Sequence, residues 1–95
     1  MLIDKGFAPN DTVSVKLSSG EEFISRFEKI DGDVLTVSKP MMLVAGQGGV
    51  GLSPFMMTVV PDGKVKVNKN LVIAMAHTEP GMASQYVEMT TGLKL

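Results

Sequence analysis

The chain has 95 residues, no cysteine and no tryptophan, and its formal net charge at pH 7 is −1. Compact domains usually run to about 50–250 residues, so we expect residues 1–95 to form one domain. Without cysteine the chain has neither a disulfide framework nor a thiolate zinc site, and association with copies of itself is the remaining source of extra stability. The balanced charge excludes the broad basic field of a dedicated nucleic-acid binder, so such binding would come from a local patch.

Alternation of apolar and polar residues predicts three strands in the first part of the chain. Over residues 12–17 every second residue is apolar, which is the period of a half-buried strand. The alternation resumes over residues 21–30, and the following Asp31-Gly32-Asp33 is typical of a hairpin turn. A third strand is predicted over residues 34–39, where Pro40 ends it.

Two further strands are predicted after a glycine-rich connection over residues 41–54. They span residues 55–60 and 64–76. Residues 55–60 and 71–76 are apolar at nearly every position, which implies burial on both faces. One small sheet has only one core, so we expect the second face to contact another subunit. The side chains expected at that contact are Phe55, Met57, Val59, Leu71, Ile73 and Met75.

The period changes near the end of the sequence, where a short amphipathic helix is predicted over residues 80–91. Thr78 is the expected N-cap, Pro80 lies in the first turn, and Gly92 stands where a C-terminal cap belongs. We expect the helix to pack against the sheet or a neighbour rather than a membrane, because its polar face lacks basic residues. Its apolar face is formed by Met82, Tyr86 and Met89.

Residues 40–61 contain no charged side chain and are long enough to cross a bilayer. Four glycines and the central Pro54 oppose a helix there. We therefore interpret this stretch as a glycine loop between two apolar strands. Residues 1–10 lack the apolar core of a secretory signal.

Residues 46–51 fit the G-x-G-x-x-G pattern, in which backbone amides and a helix N-terminus bind phosphate. The lysine of a phosphate-binding P-loop is absent, because Leu52 occupies its place. Pro54 and a predicted strand follow where a helix is required. The sequence therefore favours a flexible loop over a nucleotide site, and we expect no cofactor.

No constellation of catalytic or metal-binding residues stands out in the sequence. His77 is the sole histidine, and one imidazole without carboxylate partners does not make a metal site, so a surface or subunit-contact role is expected. Turn chemistry explains Asp31 and Asp33. With one histidine and no G-x-S-x-G motif there is no credible catalytic triad. We therefore expect a protein that is not an enzyme and that holds no metal.

Lys64, Lys66 and Lys69 share one predicted strand, and Lys39 is expected nearby. These lysines fit a solvated strand face or edge protection, and they also fit a small phosphate-binding patch. No aromatic or arginine side chain that stacks on bases is adjacent to Lys64, Lys66 or Lys69 in the sequence.

The strands and turns carry two short motifs in order along the chain. The first is Val13-x-Val15-x-Leu17-x-x-Gly20-x-x-Phe23, followed by Phe27, Ile30 and Asp31. The second is Val67-Asn68-Lys69-Asn70. Over residues 12–37 the chain resembles the first signature of the Sm-like (Sm/Lsm/Hfq) family, and the second motif stands in place of that family's hydrophobic-Arg-Gly-Asn. Taken whole, the chain most resembles the Sm-like proteins carried by phages of cyanobacteria.

The resemblance implies an all-β fold with a short terminal helix, namely a small, strongly bent, five-stranded open barrel. It implies a closed homo-oligomeric ring of about five to seven copies, in which the fourth and fifth strands of neighbouring subunits pair. It further implies binding of single-stranded RNA, with Asn68, Lys69 and Asn70 near the pore and Lys39 assisting. A phage-encoded protein of this kind would act in the cytoplasm of its host bacterium.

Departures from the family pattern leave two functions open. The glycine that permits a sharp bend in the second strand is Ser25 here, and the shortened turn Asp31-Gly32-Asp33-Val34 lacks the base-pocket asparagine. The arginine of the second signature and the aromatic platform are also absent. We therefore expect either a ring that binds single-stranded RNA in RNA metabolism or a structural or adaptor ring of phage origin without RNA binding.

Overall fold

The computed structural model describes residues 6–60 and 63–92, which form an antiparallel sheet and one helix. The strands are β1 (Thr12–Leu17), β2 (Glu22–Asp31), β3 (Val34–Gly46), β4 (Gly49–Pro54), β5 (Lys64–Asn68) and β6 (Val72–His77). A 3-10 turn over Lys69–Leu71 joins β5 to β6, and the helix α1 spans Pro80–Thr91. The predicted all-β class with a short terminal helix is confirmed.

The strands lie in the order β4-β3-β2-β1-β6, and β5 pairs with β3 outside that row. Since β2 occupies one side of β3, β4 and β5 lie one after the other along its other side. The chain runs from β5 through the 3-10 turn into β6, which pairs with β1. This connection links β5, which lies beside β3, to β6 at the far end of the row, so the sheet curls round a core. Among the described residues, β5 and β6 each have a strand partner on one side only.

The core fills the inside of this curl. Val13 pairs with Ser25, and Val15 pairs with Phe23, so the apolar face of β1 points inward as its alternation predicts. Burial of each large apolar side chain stabilises the fold by about 1.5–3 kcal/mol. The buried cluster consists of Val13, Val15, Leu17, Phe23, Phe27, Leu35, Val37 and Val72.

A β-bulge bends β3 in its middle. Ser25 of β2 lies opposite two residues of β3, Lys39 and Pro40, and such an insertion bends the strand that carries it. Lys39 adopts a φ of 51°, in the left-handed region. The bend that a glycine in the second strand would permit is therefore supplied by β3, while Ser25 is fully buried opposite it.

The strand predicted over residues 55–60 is wrong, because this segment forms bends and turns. Phe55 turns toward the core, where its ring centroid lies 4.9 Å from that of Phe23. Met57 points into solvent and is 82% exposed. The apolar run therefore reflects packing of some residues on the core and exposure of others, and not a strand buried on both faces.

The loop predicted over residues 41–54 is also wrong, because these residues form a β-hairpin. β3 does not end at residue 39 but runs on to Gly46, and β4 returns along it after a tight turn at residues 47–48. Gly49 has a φ of 112°, a conformation that only glycine adopts readily. Glycine thus serves the turn here instead of breaking the strands.

The single strand predicted over residues 64–76 is two strands, so the described residues contain six strands rather than five. The side-chain Oδ1 of Asn68 accepts a hydrogen bond from the backbone N–H of Asn70 at 3.0 Å and caps the 3-10 turn. Asparagine favours turns because its side chain hydrogen-bonds the nearby backbone. The strand predicted over residues 12–17 is confirmed as β1, and the one over residues 21–30 is β2, displaced by one residue.

The helix predicted over residues 80–91 is confirmed, but its N-cap differs. The Glu79 carboxylate accepts hydrogen bonds from two backbone N–H groups of the first turn, at 2.6 and 3.0 Å. The hydroxyl of Thr78, the predicted cap, instead bonds the hydroxyl of Ser14 on β1 at 2.9 Å. Gly92 ends the helix at a φ of 77°, as predicted.

Tyr86 attaches this helix to the bend in β3. Its side chain is completely buried, and its hydroxyl donates to the carbonyl oxygen of Lys39 at 2.6 Å. Burial raises the pKa of Tyr86 above its ordinary value. No helix in the described parts of the chain is long and apolar enough to cross a membrane.

Candidate functional site

Two turns lie side by side at one end of the sheet. They are the β2–β3 turn over residues 31–34 and the 3-10 turn between β5 and β6. The backbone N–H of Lys69 donates to the carbonyl oxygen of Asp33 at 2.7 Å, which holds the turns together. The structure thus brings three of the predicted RNA-binding residues beside the β2–β3 turn, namely Asn68, Lys69 and Asn70.

The chemistry of these turns is mixed. Lys69 supplies one positive charge, whereas Asp31 and Asp33 supply two negative charges. Asn68 and Asn70 are exposed, and their amide groups can donate to and accept from base edges. Neither turn contains an aromatic side chain on which a base would stack. The arrangement suits a weak contact with one nucleotide and opposes a high local density of phosphate.

Lys39, the fourth predicted RNA-binding residue, lies away from these turns. Val34 pairs with Asn68, whereas Ser38 pairs with Lys64, so Lys39 lies beyond the opposite end of the β3–β5 ladder. The two pairs are four residue steps apart along the strand, a distance of about 13 Å. Sequence proximity to a strand end suggested a shared patch, but the direction of the ladder separates the two sites.

The other lysines of β5 are exposed and lie along the ladder between these ends. The Nζ of Lys64 lies 3.8 Å from a carboxylate oxygen of Glu28, and the other oxygen of that carboxylate accepts a hydrogen bond from Ser38 at 2.9 Å. Lys66 pairs through its backbone with Thr36 of β3. Their alternation with half-buried valines is typical of a solvated strand face.

The start of β6 exposes apolar side chains beside the 3-10 turn. Lys16 pairs with Ala74 and Leu17 pairs with Val72, so Ile73 lies in a bulge without a partner on β1. Its side chain is 59% exposed, and that of Leu71 is 51% exposed. These two predicted contact residues therefore lie on the surface, in and beside a strand that has a partner on one side only among the described residues.

The remaining predicted contact residues divide between the core and a second surface. Phe55 and Met75 are partly buried against the core cluster. Met57 and Val59 line a cleft instead. The six residues thus do not form one continuous strand surface, because the strand expected over residues 55–60 does not exist.

This cleft lies at the base of the β3–β4 hairpin and has a volume of about 570 Å³. Four of the eight methionines of the chain line it. Among the described residues, the only charged one that lines it is Lys39. Its other walls are formed by Pro40, Met41, Pro54, Met56, Met57, Val59, Val60, Gly63, Val65, Met89 and Thr90. Sequence reasoning missed the cleft, although the number of methionines was a signal, since methionine is common at adaptable contact surfaces.

His77 lies at the surface in a small cluster at the end of β6. Its Nε2 lies 3.2 Å from a carboxylate oxygen of Asp11, and its ring centroid is 4.7 Å from that of Phe7. The pKa of Asp11 is lowered, first by a hydrogen bond from the backbone N–H of Ala8 and then by His77. The cluster ties the segment before β1 to β6.

No group of three or more His, Cys, Asp or Glu residues placed to hold a metal ion occurs within residues 6–60 and 63–92. Models of known protein families give no match to the chain, and curated proteins give none either. The function is therefore inferred from the geometry.

Proposed function

We propose that this protein is an Sm-like subunit that assembles into a closed homo-oligomeric ring. The observation that carries the proposal is that β5 and β6, which come together where the sheet curls, each have an unpaired side among the described residues. Pairing of β5 of one subunit with β6 of the next would continue the antiparallel sheet across the contact. Repeated head-to-tail contacts of this kind close into a ring and cover the free edges of β5 and β6 in every subunit.

The charge of the two strands favours this pairing over pairing of like strands. Antiparallel pairing of two copies of β5 would bring Lys64 and Lys66 of both copies together on one face, and like charges on opposed strands are destabilising. β6 contains no lysine, arginine, aspartate or glutamate. The lysine-bearing edge therefore fits an edge of β6 better than a second copy of itself.

The finer fold belongs to the same proposal. In it, β1, β2, the first half of β3, β5 and β6 are the five strands of an Sm-like barrel. The 3-10 turn stands where the second family signature lies. The second half of β3 and β4 then form an insertion between the third and fourth barrel strands.

We assign single-stranded RNA as the ligand of the ring and the 3-10 turn as its contact. Exposed amides of Asn68 and Asn70 and the charge of Lys69 support this assignment. Each site is weak, but a ring repeats it around one axis, so a single RNA strand would gain affinity from several contacts.

A second function, a structural or adaptor ring without RNA binding, is favoured by a specific observation. Asp31 and Asp33 lie in the turn beside Lys69, where they oppose phosphate, and neither turn supplies an aromatic platform.

The assembly and the ligand are tested separately. Light scattering measures the mass at tens of micromolar protein, and a monodisperse monomer would contradict the ring. Fluorescence anisotropy with short U-rich and A-rich RNAs across a salt series then measures binding. Binding that weakens with salt supports the RNA function, whereas a ring that binds neither RNA at low salt has the adaptor function.

Lys69→Glu tests the contact itself. We expect it to weaken RNA binding by roughly tenfold or more and to flatten the salt dependence, because it turns attraction into repulsion at every site of the ring. Lys66→Glu is the matched control, since it makes the same charge change on an exposed part of β5. Equal weakening by both variants would instead indicate diffuse attraction along β5 and contradict a contact at the turn.

A further inference from the structure

The β3–β4 hairpin projects beyond the sheet as a two-stranded arm. Pairing of β2 with β3 ends at Met42, so residues 43–52, which we call the arm, pair only with each other. The arm contains no charged residue. Its side chains Val44 and Val50 are 43% and 56% exposed.

Such an arm is poorly suited to solvent. An isolated two-stranded hairpin is marginally stable at best in water, and the arm has none of the charges that protect exposed strand edges in natural proteins. Depletion of charge and a high apolar content are typical of contacts between identical subunits. The composition of the arm therefore points to a second copy of this chain as its partner.

The methionine-lined cleft is the complementary surface. Among the described residues that line it, Lys39 is the only charged one and Thr90 the only one with an uncharged polar side chain. Its unbranched methionine side chains adapt to the shape of a partner. Four glycines make the end of the arm slim, so that the side chains of Val44 and Val50 are its main bulk.

The arm cannot reach the cleft of its own chain. Met41 pairs with Pro54 at the base of the arm, where both residues also line the cleft, and Gly46 pairs with Gly49 at its end. The two pairs are five residue steps apart, a distance of about 17 Å along the paired strands. The ladder between the strands keeps the end of the arm at this distance from its base.

We propose that the arm of one copy docks in the methionine-lined cleft of a second copy. This contact is separate from the β5–β6 contact, and it rests on the proposed function only in requiring that copies of the chain associate. It gives the glycine-rich hairpin a role that neither the barrel nor the RNA contact requires.

Cysteine cross-linking tests this contact cleanly, because the chain has no cysteine of its own. Val50→Cys in the arm is combined with Met57→Cys in the cleft, and the double variant is oxidised mildly and run on a non-reducing gel. We expect most chains to become linked to a second copy. The control combines Val50→Cys with Ile73→Cys, since Ile73 is also exposed, at 59% against 82% for Met57, but lies at β6.

The outcomes separate this proposal from the ring. Cross-linking of the Val50–Met57 variant, together with little cross-linking of the control or of Val50→Cys alone, supports arm docking. Equal cross-linking of the Val50–Met57 variant, the control and Val50→Cys alone overturns the proposal. A Val50–Met57 variant that does not cross-link overturns it as well. If light scattering gives the mass of a ring but the cross-link does not form, the ring is supported and the arm contact is ruled out. If the cross-linked dimer forms but light scattering gives no ring mass, the arm contact is supported and the ring is ruled out.

Discussion

Tyr86 is a fully buried side chain of α1. It is the only tyrosine of the chain, and burial raises its pKa. A raised pKa in the folded state stabilises the fold below the unfolded pKa of about 10. That contribution is lost as the pH rises further, because the unfolded chain then releases a proton that the folded chain keeps.

We expect the free energy of unfolding to fall more steeply above about pH 10 in the wild type than in Tyr86→Phe. Urea unfolding followed by circular dichroism from pH 8 to 11 measures the difference, and the phenylalanine variant corrects for titration of the lysines. At neutral pH we expect Tyr86→Phe to lower the free energy of unfolding by about 1 kcal/mol, because it removes the hydrogen bond to the carbonyl of Lys39. Absorbance of an ionised tyrosine near pH 10 in the folded protein would contradict this account.

At the level of elements, the start of α1 offers two neighbouring residues that could serve as its N-cap. Both Thr78 and Glu79 carry side-chain oxygens that can cap a helix, and threonine is the commoner choice. Ser14 on β1 decides the outcome, because it bonds the hydroxyl of Thr78. The sequence of the helix does not contain that partner, so the cap depended on tertiary structure.

Glu79→Ala should therefore destabilise the protein by about 1 kcal/mol, since it leaves two backbone N–H groups of the first helical turn without their carboxylate. The control is Glu88→Ala. Glu88 is exposed in the last turns of the same helix, where a negative charge is unfavourable, so its removal should be neutral or slightly stabilising. Urea unfolding of both variants is the measurement, and an equal loss in both would show that Glu79 does not act as the cap.

The strands show where prediction from sequence succeeds and where it fails. β1 alternates strictly and was predicted with its observed bounds, because a strand with one buried face has a period of two. β2 was predicted to within a residue, although Phe23, Ile24 and Ser25 are buried in succession. The prediction of a strand over residues 55–60 failed, because an apolar run is equally compatible with a bent segment in which Phe55 points inward and Met57 points outward. The candidate site was likewise predictable only where neighbouring residues form it. The motif at Asn68–Asn70 was visible in the sequence, whereas the cleft is assembled from residues between positions 39 and 90.

For the whole molecule, the exposure of Ile73 makes a direct test of assembly possible. Its exposed side chain lies in a bulge of β6, the strand that pairs with the next subunit in the proposed ring. Aspartate there is solvated in an isolated subunit but buried and unpaired in that ring, at a cost of several kcal/mol. We expect Ile73→Asp to lower the mass measured by light scattering to that of one subunit while the circular dichroism spectrum is retained. Ser84→Asp, on an exposed position of α1, should leave the mass unchanged.

If Ile73→Asp kept the wild-type mass, β6 would not be the contact strand of the assembly. An unfolded Ile73→Asp variant would also contradict the structure, in which that side chain contributes little to the core.

The bulge at Lys39 and Pro40 has a mechanical consequence. Before the bulge β3 pairs with β5, and beyond it β3 pairs with β4 and leads into the arm. Tyr86 donates a hydrogen bond to the carbonyl oxygen of Lys39 at this junction. The helix α1 therefore fixes the angle at which the arm leaves the rest of the sheet. A substitution that loosens α1 would therefore change the direction of the arm, although no residue of the arm itself is altered.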